Sequence, residues 1–199
     1  MVSKIKLIIE KSTAIDCLVE GCQRQDGQAQ RQLYDKLAPK MLGLCCRYIL
    51  DKPEAEGVMT TGFFKAFERI SQFSGNGSFE GWLRRIMINE SLLYLRKNKT
   101  MQLEVEIDHA IHEPNYDFMD SHLEAKDLLV LISELPIGYR TVFNLYAIEG
   151  FSHKEIAKQL EINENTSKSQ LSRARTMLKK KLSEQEAMLN NIFLEHGEG

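Results

Sequence analysis

The sequence lacks any long apolar run and any cysteine spacing that would hold a metal. None of its hydrophobic stretches approaches the roughly 20 residues that a membrane-crossing helix needs, and residues 5–9 are too short and too interrupted by charge for a signal peptide. The four cysteines include no Cys-x-x-Cys pair, and we interpret them as reduced, mostly buried thiols. We therefore expect a cytoplasmic protein without membrane insertion.

Motifs that carry catalysis are also absent. The chain has no glycine-rich phosphate loop, no paired catalytic carboxylates and no nucleophile motif, so no catalytic residue is predicted and an enzyme is a weak candidate. His109 and His112 lie in an acidic stretch without a matched second pair of ligands. We predict no metal site and no cofactor.

The net charge is close to zero, but charge is strongly polarised along the chain. The formal net charge is -2, which argues weakly against a nucleic-acid binder that works alone. Residues 100–122 hold six acidic side chains and no Lys or Arg, whereas residues 165–181 hold six basic side chains and no acid. The acidic stretch lacks helical periodicity and could span at most about 75 Å. It predicts a linker that leads to a basic domain.

Hydrophobic periodicity predicts an all-α protein of two small helical domains joined by this acidic linker. Helical spacing begins near Ser12, breaks around Gly27, resumes from Leu33 to Ile49, and starts again at Pro53 to run to about Phe73. The predicted divisions are an N-terminal extension (1–11), a first domain (12–99), the linker (100–122), a second domain (123–183) and a C-terminal tail (184–199).

The stretch from Gly77 to Lys97 predicts an amphipathic helix with basic ends, preceded by a small polar loop over residues 74–78. Its predicted buried face consists of Phe79, Trp82, Leu83, Ile86, Leu93 and Tyr94. By pattern alone this is a core helix after a turn. However, glycines and short polar side chains also leave backbone N–H groups accessible to a ligand.

The motif Phe79-x-Gly81-Trp82-Leu83-x-Arg85-Ile86, followed by Asn89 and residues 94–97, resembles the promoter-melting segment of the extracytoplasmic-function sigma factors in the sigma-70 family. In that family the loop holds a base flipped out of the melted minus 10 element. Reading an unstacked base requires close backbone approach and short hydrogen-bonding side chains. The resemblance implies a minus 10 site formed by Ser74, Gly75, Asn76, Gly77, Ser78, Arg84, Arg85 and Asn89.

The last third of the chain predicts a four-helix domain that contains a helix-turn-helix. One helix ends at Pro136, a second covers residues 139–148, and a capping box at Ser152 and Glu155 opens a third. A turn over residues 161–163 leads to a fourth helix that opens near Asn165 or Thr166. The inward side of this helix is predicted to consist of Leu171, Ala174 and Leu178.

The outward face of the fourth helix carries short polar and long cationic side chains, which suit entry into the major groove of DNA. The segment from Leu135 to Arg175 resembles the family's domain for the minus 35 element, although Glu161 replaces a glycine common in the turn. The resemblance implies a minus 35 site formed by Thr166, Lys168, Ser169, Ser172, Arg173 and Arg175.

The helix that starts at Pro53 resembles the family's polymerase-binding helix. Residue-by-residue carry-over gives Glu54, Glu56, Thr60 and Phe63 as polymerase-binding residues. Gly57 stands where a second acid is usual, and Thr60 stands where a glutamine is usual. Phe63, Phe64 and Phe67 follow at core spacing, and at least two of them are predicted to be core residues.

These resemblances cover residues 12–183 and imply a transcription initiation factor rather than an enzyme. The implied partners are core RNA polymerase and promoter DNA, and the resemblance also allows an anti-sigma factor that nothing in the chain identifies. The rival hypothesis is a stand-alone regulator that binds DNA through the helix-turn-helix, with the segment from Gly77 to Lys97 as plain scaffold. Binding to core polymerase separates the two.

Overall fold

The computed structural model describes residues 14–98 and 125–196, in which every regular element is helical. The chain divides into two compact units between Asn98 and Lys99, one residue before the predicted end of the first domain. The all-α prediction is confirmed. The predicted extension (1–11) and acidic linker (100–122) lie outside the described residues.

The first unit contains helices α1 (residues 14–23), α2 (Gly27–Tyr48), α3 (Lys52–Glu68) and α4 (Phe79–Lys97), with a short 3-10 helix at Ile70–Gln72 before α4. Asp26, Asp51 and Ser78 each begin a helix by accepting backbone N–H groups with their side chains. Helices α2, α3 and α4 all pack against one another. Pro39 lies inside α2, which continues through it.

The buried face of α4 differs from the predicted one. Leu93, predicted to be inward, is 37% exposed. Phe79 and Leu83 are buried as predicted, and Met87, Ile88, Leu92 and Leu95 are buried beside them, whereas Trp82, Ile86 and Tyr94 are only half-buried. Because α4 packs against both α2 and α3, its buried arc is wide and centred away from Leu93.

The cysteines are all free, but only Cys22 and Cys45 are buried. Cys46 is half-buried and Cys17 is exposed, so the prediction of mostly buried thiols is wrong for Cys17. Burial raises the pKa of the Cys45 thiol to about 11, which keeps this thiol protonated and unreactive.

Two helical glycines of the first unit should respond in opposite ways to alanine substitution. Around Gly57 a Cβ atom would meet open space, so Gly57→Ala should raise the free energy of unfolding by up to about 1 kcal/mol through helix propensity. At Gly21 the new Cβ would lie 2.6 Å from the Cβ of Ala29, where α1 approaches α2. Gly21→Ala should therefore destabilise the unit by about 1–3 kcal/mol.

Urea unfolding followed by the fluorescence of Trp82, the single tryptophan, measures both glycine variants in the unit that contains them. The two substitutions add the same methyl group, so each serves as the control for the other. Equal shifts of the unfolding midpoint in one direction would contradict the close approach of α1 and α2.

The second unit contains α5 (Ala125–Ser133), α6 (Ile137–Phe143), α7 (His153–Leu160) and α8 (Glu164–His196). α6 begins two residues earlier than predicted because Pro136 occupies its N-cap, and a π-helical turn at Asn144–Ile148 extends it. α8 continues beyond residue 183 to His196, so the predicted start of a tail at residue 184 does not coincide with a helix end.

The turn between α7 and α8 has the geometry that the sequence predicts. Ser152 and Glu155 form the capping box of α7, and Glu161 takes the left-handed conformation with φ 57°. The Asn163 side chain accepts the backbone N–H of Asn165 at 2.8 Å, and α8 begins one residue earlier than predicted, at Glu164. The inward residues Leu171, Ala174 and Leu178 are buried as predicted.

Candidate nucleic-acid interface

The loop from Ser74 to Ser78 stands clear of the first unit, with all five residues exposed. Gly75 and Gly77 have φ 76° and 97°, a region that only glycine enters without strain, and a Cβ at either would meet nothing within 4 Å. The Ser78 hydroxyl accepts the backbone N–H of Gly81 at 3.1 Å and so fixes the end of the loop to α4. The loop therefore presents shaped backbone to solvent.

Three aromatic rings hold the two ends of this loop together. Phe73 precedes the loop, and its ring centroid lies 5.4 Å from that of Phe79 and 5.7 Å from that of Trp82. Phe79 and Trp82 are 5.5 Å apart at the start of α4, and Phe79 is 1% exposed. Phe73 was not among the predicted site residues, although an aromatic residue on each side of a glycine-containing loop indicates such a support.

The remaining predicted minus 10 residues lie on α4. Arg85 and Asn89 are exposed and Arg84 is half-buried, so all three side chains reach solvent. Arg96 is also exposed and falls on the same helical stripe as Arg85 and Asn89. The cations of this stripe can bind phosphates. Arg96 was not among the predicted minus 10 residues.

The predicted polymerase-binding residues of α3 separate into exposed and buried groups. Glu54, Glu56 and Thr60 are exposed, and the Thr60 hydroxyl donates to the Glu56 carbonyl at 2.8 Å. A hydrogen bond to the Glu54 carboxylate, with a smaller contribution from burial, raises the pKa of Tyr94 on α4. Glu54 is thus tied to the neighbouring helix.

Phe63 cannot present its ring to a partner, because the residue is 2% exposed and its ring centroid lies 4.7 Å from that of Tyr34. This burial corrects its placement among the contact residues. Phe67 is half-buried and packs against Phe63 at 6.0 Å, as a core role predicts. Phe64 is 64% exposed, so its ring is accessible on the surface of α3.

A groove between α2 and α3, the α2–α3 groove, encloses about 490 Å³ beside Glu56 and Thr60. Its lining consists of Tyr34, Asp35, Ala38, Pro39, Leu42, Glu56, Met59 and Thr60. Two carboxylates therefore flank an apolar floor. Such a groove suits a partner helix with apolar residues on one face and basic residues at its edge.

The six predicted minus 35 residues all lie on α8 with solvent-accessible side chains. Lys168 is exposed and forms an ion pair with Glu164 at 2.9 Å, which lowers the pKa of Glu164. This ion pair was not predicted from the sequence. The Arg173 guanidinium donates to the Tyr139 hydroxyl of α6 at 3.4 Å and is half-buried. Thr166, Ser169, Ser172 and Arg175 are also half-buried.

The described parts of the chain show neither a candidate metal site nor a membrane-spanning helix. Within residues 14–98 and 125–196, no three His, Cys, Asp or Glu side chains are grouped to hold a metal ion. No helix of those two ranges is long and apolar enough to cross a membrane. His109 and His112 lie outside them.

Comparison with known families gives matches to both units. The model of Sigma-70 region 2 matches residues 33–100, and the model of Sigma-70, region 4 matches residues 125–178. These ranges include the exposed loop and the helix-turn-helix, respectively. The two family models match in the order that the sequence motifs predict.

Curated relatives match over most of their own length. The RNA polymerase sigma-H factor of Pseudomonas aeruginosa is 33% identical over 178 residues, which cover 83% of this chain and 92% of the relative. The ECF RNA polymerase sigma-E factor of Haemophilus influenzae is 29% identical, with 83% and 93% covered. A solved structure of CnrH in complex with the cytosolic domain of CnrY is 20% identical, covers 84% of this chain and 96% of that chain, and gives a TM-score of 0.48. The family models and the curated relatives show that this chain belongs to the extracytoplasmic-function group of the sigma-70 family of RNA polymerase sigma factors.

Proposed function

We propose that this sigma factor binds core RNA polymerase through α2 and α3, recognises the minus 10 element with the exposed loop and α4, and recognises the minus 35 element with α8. One observation carries the proposal: a loop with two left-handed glycines, seated on three aromatic rings, occurs in the same chain as a capped helix-turn-helix. In this proposal the protein promotes initiation by binding the two promoter elements and by binding melted DNA.

The first unit supplies the support for polymerase binding. Glu56 and Thr60 lie on the rim of the α2–α3 groove, and Phe64 extends from the same helix into solvent. Exposed aromatic rings are enriched at protein interfaces. We therefore place the polymerase contact on α3 and the adjoining side of α2.

The second unit supplies the support for duplex recognition. Arg173 and Arg175 are partly exposed cations of α8, and guanidinium groups are well suited to guanine edges and phosphates. The anti-sigma factor stays an expectation from the family resemblance.

Run-off transcription of genomic fragments with core polymerase tests the proposal. We expect specific transcripts only when the chain is added, together with capture of core polymerase by the tagged protein. Glu56→Lys should weaken this capture, and Glu20→Lys on α1, where the side chain is 68% exposed, is the matched charge change outside the proposed contact. Retention of specific DNA binding without any polymerase capture would support the stand-alone regulator instead.

The protein alone should bind duplex DNA weakly. Its net charge is -2, and the partial neutralisation of Lys168 by Glu164 reduces the positive potential of α8. Titration of a labelled promoter duplex with free protein and with the polymerase complex, at one salt concentration, measures the difference. Tight sequence-specific binding by the free protein would contradict the dependence on polymerase.

A further inference from the structure

Four side chains from three elements of the second unit form a connected cluster, which we call the Tyr146 cluster (Tyr146, His153, Ser167 and Arg175). The Tyr146 ring, on the π-helical turn, stacks on the His153 ring at the start of α7, with centroids 4.6 Å apart and planes 23° apart. His153 Nδ1 lies 2.9 Å from the Ser167 hydroxyl of α8, within hydrogen-bonding distance. The Arg175 guanidinium lies 5.6 Å from the centre of the Tyr146 ring.

The buried end of the Tyr146 cluster is fixed to the core. Ser167 is 0% exposed and lies on the inward side of α8, so its bond to His153 holds the imidazole ring in place. The stack then holds Tyr146, whose residue is 36% exposed. A rigid aromatic ring is thus displayed at the surface next to the side chain of Arg175.

The electrostatics of the cluster also favour a fixed Tyr146 ring beside Arg175. Burial, aided by the nearby Lys168 and Arg175 cations and opposed by Glu164, lowers the pKa of His153. An uncharged imidazole stacks on the tyrosine ring without repelling the guanidinium beside it. The attraction between a guanidinium and an aromatic face acts within about 6 Å of the ring centre, which includes the distance observed here.

An arginine side chain has many rotamers, and ordering them on binding opposes affinity. A ring that already holds the guanidinium reduces that loss. We infer that Tyr146 and His153 are positioning residues that hold Arg175 in its DNA-binding orientation. This inference rests on the proposed minus 35 role of α8, and it adds to that role two residues outside the recognition helix.

A double-mutant cycle tests the inference. The variants are Tyr146→Leu, Arg175→Ala and the pair, each as full-length protein assembled with core polymerase on a duplex taken from the strongest run-off promoter. Tyr146→Leu should weaken binding by about two- to fivefold when Arg175 is present and should have no further effect in the Arg175→Ala background. Tyr146→Phe retains the ring and should bind like the wild type.

The cycle separates positioning from scaffolding. A scaffold residue would weaken binding by the same factor in both backgrounds, and that result would overturn the inference, as would an unchanged affinity of Tyr146→Leu with Arg175 present. Thermal unfolding of each variant identifies any loss of folding, and if Tyr146→Leu unfolds, His153→Leu, which removes the stacking partner of Tyr146, takes its place in the cycle with the same expected result. Failure of the proposed function is distinct, because the wild-type complex itself would then fail to bind the promoter.

Discussion

Gly77→Val should reduce open-complex formation on the order of tenfold while polymerase binding stays unchanged. Gly77 has φ 97°, and an L side chain in such a conformation is disfavoured by about 1–3 kcal/mol. A Cβ atom at this position would meet no other atom within 4 Å, so we attribute the effect to the backbone shape of the loop. A loop forced out of this shape should hold a flipped base poorly.

Permanganate footprinting of melted thymines, paired with capture of core polymerase, measures both parts of this prediction. Gly27→Val is the matched control, because Gly27 is an exposed glycine without a positive φ whose Cβ would also meet open space. Asn76→Ala should reduce melting as well, since it removes a hydrogen-bonding side chain from the same exposed loop. Normal melting by both Gly77→Val and Asn76→Ala would leave the loop without a role on melted DNA.

Arg173→Ala should relax the preference at one or two positions of the minus 35 element. A bidentate contact to a guanine edge contributes about 1–3 kcal/mol of discrimination. The Arg173 guanidinium donates to the Tyr139 hydroxyl of α6, and this hydrogen bond restricts the guanidinium and favours a fixed contact over a mobile one. Lys168 is less suited to recognising a base edge, because its amine already forms an ion pair with Glu164.

Binding of the polymerase complex to a promoter library at two salt concentrations distinguishes the two roles of a cation. Lys180→Ala is the control: its side chain is 78% exposed, and its loss should weaken all sequences alike, if it affects binding at all. If Arg173→Ala instead lowers every sequence equally and reduces the salt slope by about one unit, Arg173 is a phosphate contact. Specificity would then rest on Lys168, Ser169 and Ser172.

Local signals in the sequence were sufficient for the elements that depend on neighbouring residues. The capping box at Ser152 and Glu155 and the inward spacing of Leu171, Ala174 and Leu178 all occur as predicted. Caps, turns and helical periodicity act over a few residues, so they can be read without knowledge of the partners. The order of the two motifs likewise gave the family.

Which side of a helix becomes buried was less predictable. Phe63 and Phe64 are adjacent in the chain, yet one is 2% and the other 64% exposed, because α2 covers only one side of α3. Leu93 was predicted to be buried but is exposed for a similar reason: α4 packs against two helices whose positions the sequence does not specify.

The sequence by itself determined the helices, the exposed glycine loop and the helix-turn-helix, because hydrophobic spacing, capping residues and glycine act locally. Only the tertiary structure decided which residues support them. Phe73 meets Trp82 across the loop, and Tyr146 meets His153 and Arg175 from three separate elements. Such contacts join side chains from separate elements, and their geometry exists only after the helices pack.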